Sequence, residues 1–174
     1  LGLEIDKKKI VLNTPIKAIG SFEVSDMEDS KDYLYDAESL RTLAGRKYSK
    51  KRNHINKFNQ AYADRWSYKK LNFEDRDEIL SFLRIWMDKK KTDGESEGVN
   101  ENGDEFDPFL ELEAEFNGIK DIIGNRALFE HMRIGGIFID GKLEAFSIGD
   151  YNAPERIAIV DVEKANEDIP GLYQ

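Results

Sequence analysis

A chain of 174 residues with 40% hydrophobic side chains is long enough to bury one medium core, or one core plus an extra segment. It carries a formal net charge of −9 and no cysteine, which excludes disulfides and thiolate metal sites and fits a cytoplasmic location. No apolar run approaches the roughly 18 residues of a helical bilayer span, no signal peptide stands at the start, and His54 and His131 are too far apart in sequence for a recognisable metal motif.

Residues 3–24 read as short strands: apolar Leu3/Ile5, then Ile10-Val11-Leu12, a turn at Asn13-Thr14-Pro15, and a further run from Ile16 to Val24. Polar residues 25–31 read as a loop. Asp36 is placed to cap a short helix through Leu40 and Leu43, which Gly45 ends or bends.

A second helix is expected over 46–62, with Tyr48, Ile55, Phe58 and Tyr62 forming one apolar stripe. Residues 41–63 hold seven Lys or Arg and no Asp or Glu. An acidic chain that gathers its positive charge in one place points to an anionic ligand there. Arg46, Lys47, Lys50, Lys51, Arg52 and Lys57 are the candidate phosphate ligands, with Asn53 and Asn56 as orienting hydrogen-bond groups. The bland alternative is a solvated lysine face, but such a face usually alternates Glu with Lys.

Trp66 to Leu71 alternates like a strand, and a helix follows from about Asp75 to Lys89. Its acids lie at the start and its lysines at the end, as the helix dipole favours. Residues 92–107 are acidic and Gly-rich and read as a mobile loop. From Asp93 to Glu115 there are ten acids and no base. This stretch is either solvated or a gate docked on the basic helix. Helical patterns return between Pro108 and His131, with interruptions at Asn117-Gly118 and Gly124.

Asp140-Gly141 between two apolar runs predicts a type I′ hairpin. A strand over Ile157–Val162 follows, giving way to Glu163-Lys164-Ala165-Asn166 and a helix start at Pro170-Gly171. Glu163, Lys164 and Asn166 are candidate ligand-binding residues because ligand groups gather beyond strand ends in α/β folds. Glu163 could serve as a general base if partial burial raised its pKa. No phosphate-loop, dinucleotide, serine-hydrolase or zinc-protease motif occurs. The order of elements indicates an α+β (mixed α/β) protein without internal repeats.

Tyr33-Leu34-Tyr35-Asp36, Gly45-Arg46-Lys47-Tyr48 and the block Lys51 to Phe58 resemble the DUF2156 family, which is related to the C-terminal catalytic domain of bacterial phosphatidylglycerol lysyltransferases. Gly136–Gly149, Glu163–Asn166 and Gly171–Gln174 match its later blocks, so the resemblance spans roughly 33–174. It implies a GNAT-like central mixed sheet flanked by helices, incomplete at the C-terminus. Residues 1–32 would end a preceding GNAT-like half of a longer protein, and 33–174 would hold most of the second. Similarity to Fem-type peptidyl transferases implies aminoacyl-tRNA as the donor, met by the basic helix, with Glu163 to Asn166 lining the acceptor pocket. The implied activity is aminoacyl transfer to an amine or hydroxyl. Two alternatives stay open: a non-catalytic binder of RNA or an anionic lipid surface, and an acyl-CoA-dependent N-acetyltransferase. Glu167 and Asp168 stand where CoA-binding members carry a Gly-rich pyrophosphate turn, which disfavours acyl-CoA. No metal is implied.

Overall fold

The computed structural model describes residues 2–5, 8–11, 33–93, 98–99, 105–106 and 108–173. They fall into two compact units, 1–41 and 42–174. In the first, β1 (Gly2–Ile5) and β2 (Lys8–Val11) pair antiparallel, with Gly2 opposite Val11. The expected strand at 16–24 lies outside the described residues. A short helix, α1 (Ala37–Thr42), is capped as expected: the Asp36 carboxylate accepts the Ser39 N–H at 2.8 Å.

The second unit is built on a four-stranded sheet. Its strands are β3 (Trp66–Lys70), β6 (Arg133–Ile139), β7 (Lys142–Asn152) and β8 (Ile157–Ala165), hydrogen-bonded in that order. The helices are α2 (Ser49–Ala61), entered through a 3₁₀ turn at Arg46–Tyr48, then α3 (Arg76–Asp93), α4 (Pro108–Gly124) and α5 (Arg126–His131). The α+β class read from the sequence is the observed one. Every pairing in this sheet is antiparallel, so the mixed strand directions expected of it are not found among the described strands.

Strand alternation separates two cores. On one face Ile134, Leu143, Phe146 and Ile148 pack with Ile79, Phe82 and Leu83 of α3, Ile119 and Ile123 of α4, and Phe129 of α5. Each such side chain contributes about 1.5–3 kcal/mol by leaving water. On the other face Ile139, Ala145, Ala165 and Leu172 pack on Phe58 of α2. That second core is much smaller.

Several local expectations are refined. Asp140 and Gly141 have φ of 52° and 81°, the double left-handed geometry of a type I′ turn. Helix α4 runs unbroken through Asn117-Gly118, because Phe116, Ile119 and Ile123 anchor both sides of the pair. It stops at Asn125, whose Oδ1 accepts the N–H groups of Ala127 and Leu128 and so caps α5. The acidic stretch holds a small antiparallel pair, β4 (Gly98–Val99) with β5 (Glu105–Phe106). Strand β8 does not end at Val162 but continues through Glu163 and Lys164 to Ala165.

Two β-bulges bend the β7 ribbon. Glu144 is the extra residue between Leu143 and Ala145, which face Phe138 and Ile137. Asp161 is the extra residue between Val160 and Val162, which face Gly149 and Ile148. A bulge re-aims the residue it inserts, and Glu144 shows the consequence.

Candidate functional site

Helix α2 forms because its apolar stripe has a sheet to cover. Phe58 is buried, and its ring lies 5.2 Å from Tyr62 and 5.7 Å from Trp66. The sequence-nominated cations divide in two. Arg52 is half-buried, and its guanidinium donates to the carbonyls of Leu43 and Gly45, the latter at 2.7 Å. Leu43 and Gly45 both have positive φ (48° and 87°), so Arg52 holds the strained approach to the helix. It is committed to the backbone rather than offered to a ligand. Arg46, Lys47, Lys50, Asn53, Asn56 and Lys57 are exposed, and Lys51 is half-buried. Among the described residues no ion pair involves Arg46, Lys47, Lys50, Lys51 or Lys57.

Two described members of the acidic stretch pair away from this helix: Glu113 with Lys91 of α3 at 2.8 Å and Glu115 with Lys164 at 2.6 Å.

Glu163, Lys164 and Asn166 do not form one cluster. Strand alternation puts Glu163, like Ala165, on the α2 face, opposite Ser147. Its side chain is exposed, without the partial burial expected of a base. Its carbonyl accepts the Tyr173 hydroxyl at 3.0 Å. Burial, then the neighbouring Glu163, raises the Tyr173 pKa, which keeps that phenol protonated. The chain reaches Tyr173 through Gly171, at φ 85°, where an added Cβ would lie 2.4 Å from the His54 carbonyl oxygen. This close approach seats the residues after β8 directly on α2. The basic helix and Glu163 therefore share one face of the sheet. Beyond α2 on that face Tyr68 lies over Gly135 and Arg133 over the Tyr151 ring, and both tyrosines are exposed.

Lys164 points to the opposite face and is buried. Its ammonium pairs with Glu115 and lies 4.3 Å from the centre of the Trp86 ring. Asn166 lies beside a cavity of about 250 Å³ between α3 and the ends of β7 and β8. The bulge at Glu144 delivers a buried carboxylate to that cavity. Glu144 Oε2 accepts Asn166 Nδ2 and Oε1 accepts Lys142 Nζ, both at 2.8 Å, while the Asn166 N–H donates to the Glu144 carbonyl. Sequence reasoning did not single out Glu144. The available signal was an acid inside the otherwise apolar run Leu143–Phe146 of a hairpin strand. Glu167 and Asp168 are paired with Lys90 and Lys89 of α3 at 2.7 and 2.5 Å. Among the described residues no group of three or more acids or histidines could hold a metal, and no helix is long and apolar enough to cross a membrane.

Among curated proteins none matches the chain. Among solved structures, a conserved protein of unknown function from Bacteroides thetaiotaomicron VPI-5482 is similar, at 26% identity and a TM-score of 0.51 over 78% of this chain. The present chain spans only 40% of that protein. A possible acetyltransferase from Clostridium difficile 630 also aligns, at 13% identity and a TM-score of 0.32, covering 60% of this chain and 59% of that one. The family model described as phosphatidylglycerol lysyltransferase, C-terminal, matches residues 14–174. With nearly its whole length inside that match, the chain belongs to the phosphatidylglycerol lysyltransferase C-terminal family.

Proposed function

We propose that this chain transfers an aminoacyl group from aminoacyl-tRNA to an amine or hydroxyl acceptor, using the sheet face that carries α2. The observation that supports this most is the set of exposed cations at α2, without acidic partners among the described residues and on the same sheet face as Glu163, in a protein of net charge −9. Membership of a family named for lysyl transfer supports the reaction class. A donor of this kind is met in the cytoplasm.

Arg46, Lys47, Lys50, Lys51 and Lys57 hold donor phosphates, and Asn53 and Asn56 orient them. Arg52 fixes the loop that starts the helix. In the transfer the acceptor nitrogen or oxygen attacks the ester carbonyl, the acceptor's proton is removed, and the terminal ribose hydroxyl of the tRNA leaves with a proton. The acyl carbon exchanges one ester bond for a new amide or ester bond, and no electrons are exchanged with a redox partner. Glu163 takes the acceptor proton, with the protonated Tyr173 hydroxyl anchoring the Glu163 backbone. Most of the rate comes from positioning and from stabilising the oxyanion.

The test uses charged tRNA and the intact protein. Glu163→Gln should lower turnover by about 10²-fold or more while leaving tRNA affinity within about twofold of wild type. Binding without turnover in wild type would instead make the chain a nucleic-acid or anionic-surface binder. Saturable acetyl-CoA binding that supports acetyl transfer would establish the acyl-CoA reading.

A further inference from the structure

Tyr68 lies on β3 two residues from Trp66, whose ring meets Phe58 of α2, so strand alternation puts both rings on the sheet face that carries α2. The Tyr68 ring reaches across to the neighbouring strand and rests on the bare Cα of Gly135. A Cβ built on Gly135 would lie 2.7 Å from the ring carbon Cε2 and 2.8 Å from Cζ, so only a glycine leaves the ring room to lie there. The sheet thus fixes the inner side of the ring, while the residue as a whole is 67% exposed. An aromatic surface held in place in this way costs little further ordering when a partner lands on it.

Two cations share the face near Gly135. Lys70 stands opposite Gly135 in the register, Arg133 lies two residues along the same strand, and both are exposed. Among the described residues neither has an acidic ion-pair partner. Register also ties the ring to Glu163: Gly135 faces Ser147, and Ser147 faces Glu163. Two strand spacings, ~10 Å, separate the strand beneath the ring from the strand that carries the carboxylate. The side chains along that row, at Gly135 and Ser147, are small.

We infer that Tyr68 is a stacking platform for an unpaired nucleobase, the one at the 3′ end of the donor tRNA, with Lys70 and Arg133 meeting the adjoining phosphates. The inference rests on the tRNA donor proposed above and deepens it. A sheet that exposes aromatic rings among cations suits unpaired bases, because every base offers a π-face and every nucleotide a phosphate. An aminoacylated terminal nucleotide carries its base on one side of the ribose and its ester on another. Seating the base on Tyr68 directs the ester along the row Gly135, Ser147, Glu163.

The test is binding to the intact protein of two probes: uncharged tRNA, and the same tRNA with its terminal base removed and its sugar and phosphates kept. Tyr68→Leu should weaken whole tRNA about tenfold or more, while Tyr68→Phe should stay within about twofold of wild type, because stacking needs the ring and not the hydroxyl. Gly135→Ala, which lifts the ring off the sheet, should fall between the two. The abasic tRNA should bind wild type about as weakly as whole tRNA binds Tyr68→Leu, and Tyr68→Leu should weaken it no further. Thermal melts of each variant separate lost affinity from lost fold, and if Tyr68→Leu does not fold, Gly135→Ala with both probes decides by the same criterion. The inference is overturned if folded Tyr68→Leu binds whole tRNA like wild type, or if it weakens whole and abasic tRNA equally, which marks a merely structural ring. Turnover reads the other proposal: base-dependent binding without aminoacyl transfer keeps the platform and removes the transferase, whereas transfer with no dependence on the Tyr68 ring does the reverse.

Discussion

The two faces of the sheet handle charge in opposite ways. On the α3 face three acids at the cavity wall have a lysine or amide partner: Glu144 with Lys142 and Asn166, Glu167 with Lys90, Asp168 with Lys89. Lys164, the buried cation of that face, has Glu115 and the Trp86 ring. On the α2 face five cations lack acidic partners within the described chain. Burial explains the pairing of Glu144 and Lys164, since a charge taken out of water is costly unless paired. It does not explain the unpaired cations on the α2 face. Like charges at helical spacing repel by a few tenths of a kcal/mol per pair, a cost that a polyanion would remove. Under the function proposed above, the bare charge on α2 is the surface that a polyanion covers.

The same contrast extends to stability. The α3 core is large, so Leu83→Ala should cost about 3–5 kcal/mol and lower the thermal midpoint of the whole unit. Phe58→Ala removes the centre of the small α2 core and should cost about 3–5 kcal/mol as well. Its effect should be local. Hydrogen exchange should report early opening of α2 while α3 and α4 stay protected. If the two variants melt with the same exchange pattern, the cores are not separable.

Gly171→Ala sharpens the comparison. The new Cβ would meet the His54 carbonyl at 2.4 Å in a left-handed backbone. A cost of about 2–3 kcal/mol is expected, together with weakened donor binding. Gly141→Ala supplies the control. Its backbone is equally left-handed, at φ 81°, but its surroundings are open, so only the strain of about 1 kcal/mol should appear.

A smaller effect concerns acid. Asp75 opens α3, accepting the Asn72 N–H and then Lys69, and both hold its pKa below the ordinary value of about 4. With the folded pKa depressed, its contribution is present above about pH 4 and is lost as the pH falls through the folded pKa. Asp75→Asn should therefore flatten the fall of the thermal midpoint below pH 4 and leave its slope above pH 6 unchanged.

How much of this was legible beforehand depends on the range of the interactions. Turn chemistry announced the hairpin, since Asp140-Gly141 needs no distant partner to adopt its dihedral angles. The apolar stripe of α2 was equally plain, because helical periodicity is local. The end of β8 was not. Lys164 continues the strand because Glu115, 49 positions away, and Trp86 on α3 receive its ammonium. Arg52 looked like a phosphate ligand, and only the left-handed loop at Leu43 and Gly45 claims it for the backbone. Glu144 was missed because a bulge, which breaks the two-residue rhythm, decides where it points. Chain reading found the cationic helix and the Glu163–Asn166 corner. It could not tell that the strand divides that corner between two faces.

The bare charge on α2 is tested most directly by the salt dependence of tRNA binding to intact wild type and to Lys47→Gln/Lys50→Gln/Lys57→Gln. Each lost phosphate contact should reduce the slope of log affinity against log salt by about 0.7–0.9. The triple variant should accordingly bind at least tenfold more weakly at low salt, with a slope shallower by about two, and fold normally. Equal affinity and equal slope in the two proteins would mean that the helix surface is only solvated, and that any nucleic acid is held elsewhere.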